Sequence, residues 1–136
     1  MPQDNNHNTV SDTKLNNLAS YVHHDVVGVS GVVTLDRPHA LNALNGDMVW
    51  SLHEIFTRWK NDPAVGHVVL SSSSSRAFCA GGDVRQVRDS ILVGDNNAAE
   101  QFFRGEYLAD LAIAEFDKPI IVLCDGLVMG GGAGLA

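Results

Sequence analysis

An α/β fold with parallel strand pairing is the class this sequence predicts, and three observations predict it. Short β-rich runs alternate with helix-length amphipathic runs, their order is strand, helix, strand, helix, strand, and Pro, Asn-Gly or Asp-Gly separates them. The 136 residues leave room for one domain with a real hydrophobic core. No internal sequence repeat is visible.

Residues 1–17 are rich in Asn and Asp and read as a mobile tail, so order is expected to begin near Leu18 and to fill 18–136. Tyr21 to His24 and Val29 to Leu35 are β-rich, and Asp25 and Gly28 between them suggest a hairpin or meander. Arg37-Pro38 closes the second strand, because Pro cannot donate to a ladder. Asn45-Gly46-Asp47 starts a helix whose Met48, Val49, Leu52, Ile55, Phe56 and Trp59 share one face, and Asn61-Asp62-Pro63 stops it. Such a stripe is core. His67 to Leu70 reads as a short buried strand, with Ser71 to Ser75 and Gly94 to Asn97 as loops. Phe102 to Phe116 reads as a helix with Phe103, Tyr107, Leu111 and Ala114 on one side. After Asp117-Lys118-Pro119, Ile120 to Cys124 reads as a buried strand ending in the Asp125-Gly126 turn.

Charge excludes some functions. The formal net charge is -7 and the nine Lys and Arg are scattered, which argues against phosphate-neutralising contact with nucleic acid. Backbone N–H groups still allow an anionic ligand. No apolar run is long enough to cross a bilayer, and the first twenty residues lack the pattern of a secretory signal or a transit peptide. Cys79 and Cys124 have no CxxC spacing and apolar neighbours, so both are expected buried, reduced and catalytically silent. Cytoplasmic residence fits that. The histidines form no HExxH, and His23 and His24 must point to opposite faces of a strand, so no metal site is expected.

Two glycine-bearing segments each follow a short apolar strand: Ala77-Phe78-Cys79-Ala80-Gly81-Gly82-Asp83 and Met129-Gly130-Gly131-Gly132-Ala133-Gly134. A strand-glycine-helix junction presents free N–H groups where the helix dipole favours negative charge. Two such donors from separate loops can converge on one oxygen and form an oxyanion hole, and glycine lets the ligand approach. Taken alone, either run reads better as tight packing or a plain turn. Other signatures fail: there is no GxxxxGK[ST], no complete GxGxxG, and Gly28-Val29-Ser30-Gly31 is not a GxSxG elbow.

Taken together, the motifs carry a resemblance. Asp36-Arg37-Pro38-His39-Ala40-Leu41-Asn42-Ala43-Leu44-Asn45 resembles the RP-x-ALNAL signature of the enoyl-CoA hydratase/isomerase (crotonase) superfamily. Ala77 to Asp83 resembles that family's first oxyanion loop, and Asp125-Gly126 through Gly132 its second. The resemblance runs from about Tyr21 to the end and implies a crotonase-like spiral of β-β-α units, cut short after the second oxyanion segment. It implies oxyanion N–H groups at Gly82 and Gly131, and CoA contacts along His39, Ala40 and Leu41 with Gly81 and Asp83 beside them. Asp36 and Arg37 are expected to order their loop rather than touch ligand.

One subgroup is closer. Phe102-Phe103-Arg104-Gly105-Glu106-Tyr107 and the run from Asp125 to Gly134 look like 3-hydroxyisobutyryl-CoA hydrolases, in which the glutamate matching Glu106 contacts substrate. A lone Glu on a helix is otherwise usually a solvated residue. Hydratases of the superfamily place a catalytic Glu where this chain has Gly134, which disfavours water addition to an enoyl-CoA. The resemblance implies catalytic carboxylates and oligomerisation helices beyond Ala136. The expected activity is therefore hydrolysis of a short acyl-CoA thioester by a longer parent, which can be oligomeric. An isomerase or hydratase of the same superfamily, or a non-catalytic acyl-CoA-binding fragment, are the alternatives. Coenzyme A enters as part of the substrate, so no cofactor is expected.

Overall fold

The computed structural model describes residues 21–136. The tail expected over 1–17, and the start of order near Leu18, lie outside the described residues.

Strands β1 (Val22–Val27) and β2 (Ser30–Leu35) form the antiparallel hairpin suggested by their pattern, with Val27 opposite Ser30. Gly28 takes φ +62 at the first turn position, the left-handed conformation a tight hairpin turn demands. Along β2 the alternation puts Gly31, Val33 and Leu35 inside. Strand β3 (His67–Ser72) pairs parallel with β2, and β5 (Ile120–Val122) pairs parallel with β3, giving the order β1-β2-β3-β5. A second sheet holds β4 (Ala77–Cys79) and β6 (Leu127–Val128), also parallel.

Helix α1 (Gly46–Lys60) begins where Asn45 accepts a hydrogen bond from the Met48 N–H at 3.0 Å. Its stripe of Met48, Val49, Leu52, Ile55, Phe56 and Trp59 is fully buried. The Trp59 ring packs against Gly31, where a Cβ would come to 2.5 Å from it. Lys118 donates to the Trp59 and Asp62 carbonyls at 2.6 Å each, so the Asp117-Lys118-Pro119 turn also caps the end of α1. Two further helices follow β4, namely α2 (Val84–Leu92) and α3 (Asn96–Ala114), and α4 (Gly131–Leu135) follows β6. Strand, strand, helix thus recurs three times, with β2, β3 and β5 in one sheet and β4 and β6 in the other. The repeat is one of topology, and no residue pattern announces it.

Three expectations are corrected, and the side of α3 marked by Phe103, Tyr107, Leu111 and Ala114 is placed. Ser71 and Ser72 belong to β3, paired with Thr34 and Leu35, so the loop begins later than the serine run suggests. Asn96 and Asn97 are helical because Asp95 caps α3 through the Ala98 N–H at 3.0 Å. The side of α3 bearing Phe103, Tyr107 and Leu111 is the exposed one, at 55%, 69% and 38%, while Ala99, Phe102, Gly105 and Ala109 face the core. Ile120 to Cys124 is only half covered: β5 is the edge strand, Ile121 and Leu123 are exposed, and so is Cys124. Among the described residues no helix is long and apolar enough to cross a membrane.

Candidate functional site

The loop after β2 is held in shape by its own contacts. Leu41 and Asn42 hold φ of 53° and 55°, which non-glycine residues adopt only when their surroundings enforce it. Asn42 supplies the enforcement. Fully buried, it accepts from the Arg37 N–H at 2.6 Å and donates to Ser72 Oγ at 2.9 Å and the Ala77 carbonyl at 3.1 Å. Arg37 donates to the Ala43 carbonyl and to Asp83 Oδ2, both at 2.8 Å, and stands over the Tyr21 ring. Arg37 therefore orders the loop, in the role expected of it.

That loop zips onto the first glycine segment. Ala80 N–H donates to the Leu41 carbonyl at 3.1 Å, Leu44 N–H to Gly81 at 2.8 Å, and Asp83 N–H to Leu44 at 2.7 Å. Asp83 then caps α2 by accepting from the Gln86 N–H at 3.2 Å. Burial alone would raise the Asp83 pKa, but Arg37 and the α2 amides outweigh it and hold the carboxyl below its usual range.

The second glycine segment is packed on the first. Met129 N–H donates to the Cys79 carbonyl at 3.1 Å, and a Cβ on Gly132 would collide with that carbonyl. Gly81, at φ +97, has room for a Cβ only 3.0 Å from the Met129 carbonyl and 3.3 Å from the Gly131 nitrogen. These are close approaches that glycine alone permits.

Gly82 and Gly131 meet at one side chain. A Cβ on Gly82 would lie 3.2 Å from Glu106 Oε1, and one on Gly131 would strike the same oxygen while lying 3.6 Å from the Gly82 nitrogen. Neither glycine N–H donates a hydrogen bond to another described backbone or side-chain group. Two donors without a described partner, from separate loops, therefore lie in one corner of the fold beside a carboxyl group. Burial raises the Glu106 pKa, and the negative charge of Asp110 raises it further.

Of the residues singled out in the sequence, His39, Ala40, Leu41, Gly82 and Asp83 line one groove of about 960 Å³. Gly81, Glu106 and Gly131 lie outside its wall, and Gly82 belongs to both places. The opposite wall comes from α2 through Arg85, Gln86, Asp89 and Ser90, none of which stands out in the sequence. Asp110 was also missed: a Cβ at Gly134 would sit 3.2 Å from its Oδ1. Its signal is the four-residue spacing from Glu106, which puts both on one helix face. Cys79 is buried with its thiol directed at the Asn42 carbonyl at 3.2 Å, and burial pushes its pKa up to about 11. It is no nucleophile at neutral pH.

Known proteins resemble this chain in sequence and in fold. The family model described as enoyl-CoA hydratase/isomerase matches residues 30–136. A Xenopus laevis protein named 3-hydroxyisobutyryl-CoA hydrolase, mitochondrial, is 45% identical over 109 residues, covering 80% of this chain and 28% of its own length. Its Danio rerio namesake is 38% identical over 117 residues, 86% of this chain and 30% of that one. The chain thus spans less than a third of either relative. A solved enoyl-CoA hydratase from Rhodobacter sphaeroides superposes with a TM-score of 0.81 at 42% identity, over 86% of this chain and 35% of that one. A carnitinyl-CoA dehydratase from Mycobacterium thermoresistibile does so at 0.80 and 38% identity, over 86% and 34%. The fold is the crotonase fold over its N-terminal part, and the chain belongs to the enoyl-CoA hydratase/isomerase family.

Proposed function

We propose that the protein carrying this chain hydrolyses the CoA thioester of a short 3-hydroxyacyl group, with 3-hydroxyisobutyryl-CoA as the representative substrate. One observation carries the reading: Gly82 and Gly131 come from separate loops, lie close together against the Glu106 side chain, and keep their N–H groups free of other described partners. Water adds to the thioester carbon, and the carbonyl π electrons move onto the oxygen held between the two N–H groups. The carbon–sulfur bond then breaks as the carbonyl re-forms, and the CoA sulfur leaves as thiolate and takes up a proton. Each oxyanion donor is worth about 3 kcal/mol in such a step. The base that activates water lies beyond Ala136 in this reading, and Glu106 holds the acyl group.

The groove along His39, Ala40 and Leu41 is the proposed path of the CoA moiety, which is substrate rather than cofactor. Arg85 on its far wall is the cation available to phosphate, since Arg37 is committed to Asp83. No nucleic-acid or membrane partner is proposed. The cytoplasm is the proposed compartment on the strength of two free thiols, although the vertebrate relatives are named as mitochondrial proteins. Water addition to an enoyl-CoA, the activity in the solved neighbours' names, is disfavoured because Gly134 carries no acid or base.

The test is free-thiol release from 3-hydroxyisobutyryl-CoA by the protein and its Gly131→Ala variant, whose methyl displaces Glu106. The variant is expected to lose at least about a hundredfold in kcat while still binding free CoA. Unchanged turnover would remove the second loop from the mechanism.

A further inference from the structure

Glu106 and Asp110 stand one turn apart on α3, so their side chains leave the same face. Helix α4 offers that face two glycines three residues apart. A Cβ at 131 would strike Glu106 Oε1, and one at 134 would lie 3.2 and 3.3 Å from the two Asp110 oxygens. Each carboxyl is therefore seated on bare glycine backbone, and neither is paired with a cation among the described residues. Any side chain at either glycine would push a carboxyl away.

The surroundings leave the two carboxyls mainly to each other. The second loop, Met129 to Leu135, carries no titratable side chain. Beneath the first loop the Cys79 thiol is neutral, and Asp83 is held by Arg37. On α1, His53 Nδ1 lies 3.2 Å from the Leu108 carbonyl, and on α2 Arg88 is paired with Asp89 while Arg85 is exposed.

We propose that Asp110 is a positioning residue for Glu106: its carboxyl, one turn further along the same face and seated on the same Gly131–Gly134 wall, favours the protonated form of Glu106, which then meets the acyl group as a hydrogen-bond donor. Burial raising both groups, with Asp110 acting further on Glu106, agrees with this geometry. That an acyl group is what Glu106 meets rests on the function proposed above. The coupling of the two carboxyls does not.

Carboxyl ¹³C NMR titration of the protein separates the two ideas. In the unsubstituted protein each of the Glu106 and Asp110 resonances is expected to titrate in two steps, each reporting the other's proton. In Asp110→Asn, which keeps the volume and removes the charge, the Glu106 midpoint is expected to move to lower pH as a single step. Single-step curves in the unsubstituted protein, or an unmoved Glu106 midpoint in Asp110→Asn, would overturn the pairing. Adding 3-hydroxyisobutyryl-CoA while following the Gly82 and Gly131 amides tests the other half. Amides that ignore the ligand while the carboxyls remain coupled would sink the proposed function and leave the pair standing.

Discussion

Cys79 and Cys124 resemble each other in sequence and differ in chemistry. Cys79 ends the buried strand β4, and its thiol is pushed up to about 11 by burial. Cys124 follows the edge strand β5 and is exposed. A thiol reagent at pH 8 is therefore expected to label one cysteine rapidly and the second only on unfolding. Two fast equivalents would contradict the burial of Cys79. The Arg37–Asp83 pair makes a second residue-scale prediction. Because Asp83 titrates below its unfolded range, its contribution is present above that range and is lost as pH falls through the folded pKa. Asp83→Asn keeps the helix cap and removes the charge, so it is expected to cost about 1–3 kcal/mol at pH 7 and to flatten acid unfolding, read by denaturant melts across pH. Glu106 and Asp110 carry the opposite sign. Their raised values mean that ionisation above the folded pKa costs stability, so Asp110→Asn is expected to raise the melting temperature at pH 7. The loop-ordering place of Arg37 and the close backbone approach of the two glycine runs are legible because local motif and local geometry coincide. Asn42 and Asp110 are not, since their partners Ser72, Ala77 and Gly134 are distant in sequence.

Elements with a single strong period are legible in the sequence, and those that answer to distant neighbours are not. Helix α1 has a cap, an apolar stripe and a stop, and all three lie within its own residues. Helix α2 buries only Val87, so no stripe marks it. The sequence marks a side of helix α3 without saying which side faces inward, because the contact with α1 is made through a small residue. A Cβ on Gly105 would lie 2.9 Å from Trp50 Nε1 and from Val49 Cγ2, so glycine lets the helices close while larger residues face outward. Hydrophobicity alone points the other way. Glycine likewise permits the close approach of α1 to the sheet. Gly31→Ala would thrust a methyl into the Trp59 ring and is expected to cost about 1–3 kcal/mol in chemical denaturation. A cost near zero would mean that the ring can move, which its full burial argues against.

At the scale of the molecule, the sheets bring together what the sequence keeps apart. Parallel pairing of β4 with β6 sets the ends of two strands side by side, and the glycine segments that follow them come into contact. Helix α3 then lays Glu106 across both, a placement that follows from topology and that sequence could suggest only through resemblance. The chain spans less than a third of the 3-hydroxyisobutyryl-CoA hydrolases it matches, and its edge strand β5 and the Phe103–Tyr107–Leu111 face of α3 are uncovered among the described residues. Residues 1–136 expressed alone are therefore expected to aggregate readily and to release no thiol above background, since polarisation without a positioned base accelerates little. Turnover near that of a longer chain would relocate the catalytic base into this segment. Whether the Gly82 and Gly131 N–H groups bind one oxygen is tested most directly by amide NMR of the protein with 3-hydroxyisobutyryl-CoA. Both amide protons are expected to move downfield together at saturation, as N–H groups do on gaining a carbonyl acceptor. A bound ligand that shifts the His39–Leu41 amides while leaving Gly82 and Gly131 where they were would contradict binding of one oxygen.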